Sequence, residues 1–372
     1  MTTDERFNLI TRNLAETLTE EDLKHLLETE TSLRHYIGFE VSGKLHIGYL
    51  FQLLKIKDIQ DAGGETIIWL ADLHSAINDK LGGDLETIKK MAREYFIPAM
   101  ESLFEAIGGD PKKLIFKLCS EEYASRPEFW FTFLEMAKGT SLARSKRSIT
   151  IMGREEAEDS IETAKIMYPI MQAADIFLLQ TNIAQAGMDQ RKVHVVARDA
   201  ALQIKTNALK DKNGKQIKPV AIHTPILLGL QSQGSEDGDS DEVAMKSKMS
   251  KSRPGSGITI HDSEDQIRQT LNKAFAPEGQ IENNPVLNWT RYLVFYTENT
   301  FTIKRPEKWG GDMVFTSYPQ LEKAYSEKQL HPMDLKNALA DWLIKTLEPV
   351  KEKFSSEDKK AVLDNLEKLT TR

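Results

Sequence analysis

The chain has 372 residues, of which 40% are hydrophobic and 28% charged, and its formal net charge is -7 at pH 7. This is the composition of a globular protein, and the length is enough for two domains with their own cores. No apolar run is long enough to cross a membrane and no signal-peptide pattern is present, so we expect a cytoplasmic protein without membrane contacts. The single cysteine, Cys119, excludes an internal disulfide, and the acidic balance argues against nucleic-acid binding over the whole surface.

Short apolar segments alternate with helical periodicity over the first part of the chain. Four such segments are predicted to be strands, at residues 34–40, 66–74, 114–118 and 218–230. A long helix is predicted over residues 84–107, and a second over 162–179, which Pro169 is expected to bend or to start. Strands that alternate with helices of this length predict a parallel, doubly wound sheet. We therefore expect a Rossmann-like α/β domain over residues 1–260.

The last third of the sequence has a different character. From residue 262 onward no clear strand remains, so residues 261–372 are predicted to form a helical second domain. Just before it, residues 231–244 are rich in Ser, Gly and acidic side chains and contain almost nothing apolar. Such a segment cannot bury a core, and we interpret residues 231–247 as a flexible acidic linker.

One segment of the first domain has the features of a phosphate site. In open α/β sheets, ligands bind beyond the carboxyl ends of the strands, where a helix N-terminus offers free N–H groups. The sequence "FEVSGKLHIGY" (39–49) lies at such a place. Gly43 permits a tight turn, Gly48 lets a nucleotide approach the backbone, and His46 can donate to a phosphate oxygen. By itself, a histidine before a helix is more often a cap or a surface residue.

A basic segment follows the acidic linker. Residues 246–257, "KSKMSKSRPGSG", carry four cations separated by Ser, Met, Gly and Pro. A short cationic run is commonly a solvated loop. Because it is tethered by the linker and followed by a helix, we interpret it as a loop that closes over an anion.

The two segments together resemble the paired signature motifs of class I aminoacyl-tRNA synthetases, here "HIGY" (46–49) and "KMSKS" (248–252). The resemblance implies that Lys248 and Lys251 stabilise the triphosphate of ATP in the transition state, together with His46. The first motif of that family commonly ends in His, where this chain has Tyr49.

Longer segments are similar to the tyrosyl-tRNA synthetases of archaeal and eukaryotic type. They are "YIGFEVSGKLHIGY", "YPIMQAADIFLL", "AGMDQRKVHVVAR", "TIKRPEKWGGD" and "HPMDLKNALA", and they span most of the chain. The resemblance implies that ATP, bound with Mg²⁺, and L-tyrosine form an adenylate, and that tyrosine is then transferred to tRNA(Tyr). It also implies a homodimer, with a helical second domain that binds the anticodon, and no structural metal in the protein.

The same resemblance assigns roles to individual residues. The tyrosine-binding set is Tyr36 and Asp175 for the phenol hydroxyl and Tyr168, Gln172 and Gln190 for the ammonium group. The ATP-binding set is Gly48, Asp189 and Lys251. The set for the tRNA acceptor end is Arg147, Arg191 and Lys192, and the set for the first anticodon base is Trp309, His331 and Asp334.

Some of these assignments have support from the residues themselves. Asp175 is followed by four apolar residues, and a carboxylate in such a stretch is usually paired or functional. Tyr168 and Gln172 are four positions apart and therefore share one face of a helix. Taken singly, Tyr168 and Trp309 would be interpreted as core aromatic residues, and Gln172 as a surface amide.

Three other functions remain open at this stage. A tryptophanyl-tRNA synthetase shares the fold and both motifs, but an indole needs no partner such as Tyr36. A small adenylyltransferase of the same superfamily would lack the helical domain. A catalytically silent RNA-binding paralogue would not need to keep His46, Lys248, Lys251 and Asp175.

Overall fold

The structure, a computed structural model, describes residues 1–152, 161–231 and 256–370. Within these ranges the main sheet has six strands: β1 (Glu16–Leu18), β2 (Arg34–Phe39), β3 (Glu65–Leu70), β4 (Leu114–Leu118), β5 (Ile183–Gly187) and β6 (Val220–Thr224). A second, two-stranded sheet consists of β7 (Phe301–Ile303) and β8 (Met313–Phe315).

Helices surround the main sheet and make up most of the carboxyl-terminal part. The first eleven are α1 (Thr3–Thr11), α2 (Glu20–Glu28), α3 (Ile47–Asp61), α4 (Asp72–Ile77), α5 (Leu85–Met91), α6 (Ile97–Ala106), α7 (Cys119–Ser125), α8 (Glu128–Gly139), α9 (Leu142–Ser148), α10 (Thr163–Leu178) and α11 (Arg191–Ala200). They are followed by α12 (Glu264–Asn272), α13 (Pro285–Trp289), α14 (Phe295–Thr297), α15 (Tyr318–Ser326), α16 (Pro332–Lys353) and α17 (Glu357–Thr370). Over the three described ranges, no helix combines the length and apolar character needed to cross a membrane.

The predicted doubly wound sheet is confirmed. The strand order is β1-β6-β5-β2-β3-β4, and every neighbouring pair is parallel except β1 with β6. Side chains alternate between two cores, because successive residues of a strand point to opposite faces. Tyr36 and Trp69 belong to the core on one face, whereas Ile37 and Ile68 belong to the core on the other.

Several predicted boundaries need correction. The strand predicted over 66–74 ends at Leu70, because Asp72 begins α4. The long helix predicted over 84–107 is divided by a π-helical turn, Ala92–Phe96, between α5 and α6. Helix α10 continues through Pro169, which neither starts nor ends it.

Strands β1, β5, β7 and β8 had no counterpart in the prediction. Strand β5, with the sequence "IAQAG", has small residues and one β-branched side chain, so its β propensity is weak and its pairing with β2 and β6 stabilises it. The expectation that no strand follows residue 262 is wrong, since β7 pairs with β8. These two strands have three residues each, too few to show a periodicity.

A buried charged cluster joins three distant parts of the chain. The Lys55 ammonium of α3 donates to the Asp58 carboxylate (2.9 Å) and to the carbonyl oxygens of Ile10 (3.0 Å) and Arg12 (2.6 Å). Asp58 also accepts from the Arg12 guanidinium and from the Tyr296 hydroxyl. Lys55 and Asp58 are almost fully buried, so each needs the other's charge. The cluster connects the end of α1 and helix α14 to α3.

We predict that Asp58→Asn lowers the free energy of unfolding by about 3 kcal/mol at neutral pH, because it leaves the Lys55 ammonium buried without a counter-charge. Burial lowers the pKa of Lys55 from 10.5 to about 8 in the folded protein, and Asp58 opposes this shift. In the variant this pKa falls further, so Lys55 loses its proton at lower pH than in the parent protein. The deficit should therefore shrink as the pH rises toward about 8.

Urea unfolding of the parent and variant over a pH series measures this effect. The matched control is Asp61→Asn, which removes an exposed carboxylate on the same helix that pairs with Lys57 at 2.6 Å. A surface pair contributes little, so this control should change stability much less. Equal losses in the two variants would contradict the role given to the buried cluster.

Candidate active site

His46 caps the helix that begins the predicted phosphate site. Its Nδ1 accepts the Gly48 N–H (3.0 Å) at the start of α3, which leaves Nε2 as the nitrogen that carries the proton of a neutral ring. That N–H is a suitable donor for a phosphate oxygen at the N-terminus of α3. His46 and Gly48 lie at the start of this helix, and their role in ATP binding stays a prediction.

The segment that follows the basic loop pairs with this motif. The Ile47 N–H donates to the Ile258 carbonyl (3.0 Å), and the Ile260 N–H donates to the Leu45 carbonyl (3.0 Å). Farther back, the Leu230 N–H donates to the Ser256 carbonyl (2.9 Å), so the residues on either side of the intervening segment meet. Lys248 and Lys251 lie in that segment, outside the described residues, and their role stays a prediction.

Asp175 lies on α10 in the core beside β2 and β3, with no exposed surface. Its Oδ2 accepts the Trp69 indole N–H (2.9 Å), and its Oδ1 accepts the Tyr123 hydroxyl (2.5 Å). Burial raises the pKa of Asp175 well above its ordinary value, while the hydrogen bonds from Tyr123 and Trp69 lower it. The carboxylate is therefore a buried acceptor surrounded by neutral donors.

The predicted pair of Tyr36 and Asp175 is close together but not directly bonded. The charge of Asp175 adds to burial in raising the pKa of Tyr36, but no hydrogen bond joins these two side chains. The Tyr36 hydroxyl lies beside Gly38, where an added Cβ would be 2.8 Å from its oxygen. Gly38 is exposed although it lies in a central strand, so the sheet is open to solvent at this position.

The residues predicted to bind the ammonium group belong to two hydrogen-bonded groups. The Tyr168 hydroxyl donates to Glu40 (2.9 Å), which also accepts from the Asn78 amide (2.7 Å). The Gln172 amide donates to Gln190 (3.2 Å). Carboxylate and amide oxygens can accept hydrogen bonds from an ammonium group, and the role of this set stays a prediction.

Gln190 connects the amino-acid side of the site to the predicted ribose side. Its amide donates to Asp189 (3.1 Å) and to the Ile151 carbonyl (2.9 Å). A side chain at Gly187 would displace the Asp189 carboxylate from its present position, because an added Cβ would overlap with its Oδ1. The Asp189 carboxylate lies beyond the carboxyl end of β5, where ligands of such sheets bind.

The predicted acceptor-end residues are at the surface near the same edge. The Lys192 ammonium donates to Thr150 (3.3 Å), whose hydroxyl donates to the Arg147 carbonyl (3.3 Å). Arg191 forms a two-point contact with Glu16, with Nε to Oε2 at 2.8 Å and Nη2 to Oε1 at 2.9 Å. This pair fixes the plane of the guanidinium and reduces its net charge.

The predicted anticodon residues form a second, separate surface in the carboxyl-terminal part. The Trp309 side chain is 67% exposed, which is rare for a tryptophan and leaves a ring face for stacking. His331 caps α16, and Asp334 lies in the first turn of that helix. Arg305 donates to the carbonyls of Gly311 (2.9 Å) and Gln329 (3.2 Å), so it links the Trp309 loop to the segment before His331.

Sequence reasoning missed three residues of the amino-acid site. Glu40 and Tyr123 follow the carboxyl ends of β2 and β4, and this position beyond a parallel strand was the available signal. Trp69 lies inside an apolar strand, where nothing in the sequence distinguishes a hydrogen-bonding indole from a core side chain.

A protein family and several known proteins are similar to this chain. The family model described as tRNA synthetases class I (W and Y) matches residues 28–348. A tyrosine–tRNA ligase of Pyrococcus abyssi is 48% identical over 361 residues, covering 95% of this chain and 96% of its own. The crystal structure of the Pyrococcus horikoshii tyrosyl-tRNA synthetase with L-tyrosine superposes with a TM-score of 0.93 at 45% identity, over 98% of this chain and 100% of that one. That of Aeropyrum pernix superposes with a TM-score of 0.82 at 38% identity, over 98% and 99%. The chain belongs to the class I tRNA synthetases of the tryptophan and tyrosine group.

Proposed function

We propose that this chain is a tyrosine–tRNA ligase, which activates L-tyrosine with ATP and transfers it to tRNA(Tyr). The observation that carries the proposal is the buried Asp175 carboxylate beside the Tyr36 hydroxyl, an acceptor for a substrate group that donates a hydrogen bond. The names of the similar ligases and the tyrosine bound in one neighbouring structure support it. The cytoplasm is the proposed site of action, which cell fractionation would test.

The first step joins tyrosine to AMP. A carboxylate oxygen of tyrosine attacks the α-phosphorus of ATP, and the bond to the bridging oxygen of pyrophosphate breaks. Magnesium enters with ATP and neutralises part of the phosphate charge. His46 and the lysines 248 and 251 stabilise the charge that develops on the phosphates, so catalysis depends on positioning and electrostatics rather than on a protein nucleophile.

The second step uses the surface basic residues. A hydroxyl of the terminal tRNA ribose attacks the carbonyl carbon of the adenylate, and AMP leaves. We assign contact with the acceptor end to Lys192, Arg147 and Arg191, and the proposal is supported by the two-point contact with Glu16 that fixes the plane of the Arg191 guanidinium. We include ATP, L-tyrosine and tRNA(Tyr) as the substrates.

We predict that Asp175→Asn lowers kcat/KM for tyrosine about 10- to 100-fold, because an amide accepts the phenol hydrogen bond more weakly than a carboxylate. The KM for ATP should stay nearly unchanged, since Asp175 lies on the amino-acid side. Amino-acid-dependent pyrophosphate exchange over all twenty amino acids measures both quantities and separates tyrosine from tryptophan activation.

Lys251→Ala is the contrasting variant in that experiment. It should slow adenylate formation while leaving the dissociation constant of tyrosine unchanged, because a loop lysine acts on the developing phosphate charge. Exchange that depends on tryptophan instead of tyrosine would refute the proposed substrate. Equal losses in ATP and tyrosine affinity in Asp175→Asn would remove Asp175 from the phenol site.

We propose that the surface around Trp309 recognises the first anticodon base. Trp309 offers an exposed ring for stacking, typically ~1–3 kcal/mol per base. Asp334 can accept hydrogen bonds from the donor edge of guanine, and His331 lies beside it at the start of α16.

Asp334→Ala should raise the KM for tRNA and reduce discrimination at the first anticodon base about 10-fold, with pyrophosphate exchange unchanged. Aminoacylation of four transcripts that differ only at that base measures the discrimination. The matched control is Asp341→Ala, another exposed carboxylate of α16, which pairs with Arg268. Impaired exchange with an unchanged base preference would show that Asp334 supports the fold and reads no base.

We propose that the chain is a homodimer that associates through α8. Trp130, Phe131 and Leu134 of α8 are 43%, 62% and 60% exposed, and Leu142 of α9 is 62% exposed. A group of large apolar side chains on one surface is typical of an interface rather than of solvent contact. A symmetric dimer would bury the same patch of both copies.

The double variant Phe131→Glu with Leu134→Glu should raise the dimer dissociation constant at least about 100-fold, because each change would bury an unpaired charge. Sedimentation equilibrium over a concentration series measures it. Val314→Glu, at a side chain 61% exposed in β8, is the control and should leave the association intact. A parent protein that sediments as a monomer would refute the proposal.

A further inference from the structure

The carboxylate of Asp175 is held by two neutral side chains that have no part in the reaction itself. Trp69 on β3 donates to Oδ2 at 2.9 Å, and Tyr123 on α7 donates to Oδ1 at 2.5 Å. The two rings contact each other edge to face at 5.8 Å, and Tyr123 stacks on Phe129 at 3.7 Å. All of these side chains are buried, so both donors are fixed in place.

We propose that Trp69 and Tyr123 are positioning residues for substrate selection, which hold the carboxyl group of Asp175 in a fixed orientation toward the amino-acid substrate. The inference rests on the proposed activation of tyrosine and deepens it. Each carboxylate oxygen has room for about two hydrogen bonds, and one donor occupies each of them here. An ionised carboxylate can only accept, so a substrate that cannot donate leaves it underbonded.

The two donors oppose the effect of burial on this group. Burial alone favours the protonated acid, and a protonated Asp175 would itself donate a hydrogen bond and no longer require a donor substrate. Hydrogen bonds from Tyr123 and Trp69 lower the pKa of Asp175. Loss of either donor should therefore raise this pKa and weaken selection for the phenol, most strongly at low pH.

The titratable groups near Asp175 include buried phenols, a thiol and a histidine, and behind them lie the carboxyl groups of Asp72, which accepts from Cys119, and of Glu40, which accepts from Tyr168. Burial raises the pKa of the surrounding phenols and of the thiol well above their ordinary values, in Tyr36, Tyr123, Tyr168 and Cys119. Burial lowers the pKa of His74 to about 4, and its ring lies 6.4 Å from that of Tyr123. Asp175 is the group whose pKa the two donors lower directly.

Tyr123→Phe and Trp69→Phe each remove one donor. In pyrophosphate exchange, kcat/KM for tyrosine should fall about 10-fold, mainly through KM, and this fall should become smaller as the pH rises. The ratio of kcat/KM for tyrosine to that for phenylalanine should fall by a similar factor at the low end of the pH series. The ionisation of the substrates does not affect the ratio of kcat/KM between variant and parent, because both proteins are measured at the same pH.

Tyr325→Phe is the matched control, because it removes a buried hydroxyl that donates to the Pro277 carbonyl (2.9 Å) in the helical part. It should lower stability without changing either the pH profile or the selectivity. A loss of the same size at every pH, with unchanged discrimination against phenylalanine, would overturn the inference. If Trp69→Phe fails to fold, the pH profile and the selectivity of Tyr123→Phe are sufficient to test the inference. A parent protein without tyrosine-dependent exchange would refute the proposed function instead, so the two failures are distinguishable.

Discussion

The parallel hydrogen bonding of β2 with both of its neighbours is the constraint on which the site depends. It places the carboxyl ends of β2, β3, β4 and β5 along one edge, so residues that are distant in sequence meet there. Glu40 follows β2, Tyr123 follows β4 in helix α7, and Gln190 follows β5. Helix α3 begins at the same edge and brings His46 and Gly48. The backbone of the sheet thus determines which residues of the site lie near one another.

Two buried aspartates show how differently this fold uses the same side chain. Asp58 accepts from Lys55 and Arg12, so its charge is compensated by cations and contributes to cohesion between α1, α3 and α14. Asp175 accepts from an indole and a phenol, which carry no charge. Among the described residues, no cation forms an ion pair with this carboxyl group. The type of donor, rather than the depth of burial, separates the structural carboxylate from the one proposed to bind substrate.

Much of the fold and part of the site could be predicted from the sequence, for physical reasons. Strand β4 and the doubly wound sheet follow from apolar runs that alternate with helical periodicity. His46 and Gly48 precede a clear helix, so their place was predictable. Trp69 could not be recognised, because its role depends on contact with α10, more than one hundred residues away. Strand β5 lacked its own β propensity and is defined by its neighbours, and the absence of a direct bond from Tyr36 to Asp175 depends on side-chain geometry.

The hydrogen bond between Leu230 and Ser256 has a consequence for the segment that it closes. It holds together the two residues that border this segment, close to the strand-like pairing of Ile258 and Ile260 with the His46 motif. The entropic cost of closing a flexible loop grows only with the logarithm of its length, about 0.6 kcal/mol for each doubling. For a flexible linker, which the sequence predicts at residues 231–247, insertions and deletions would therefore be nearly neutral in free energy, whereas the residues that flank it stay constrained.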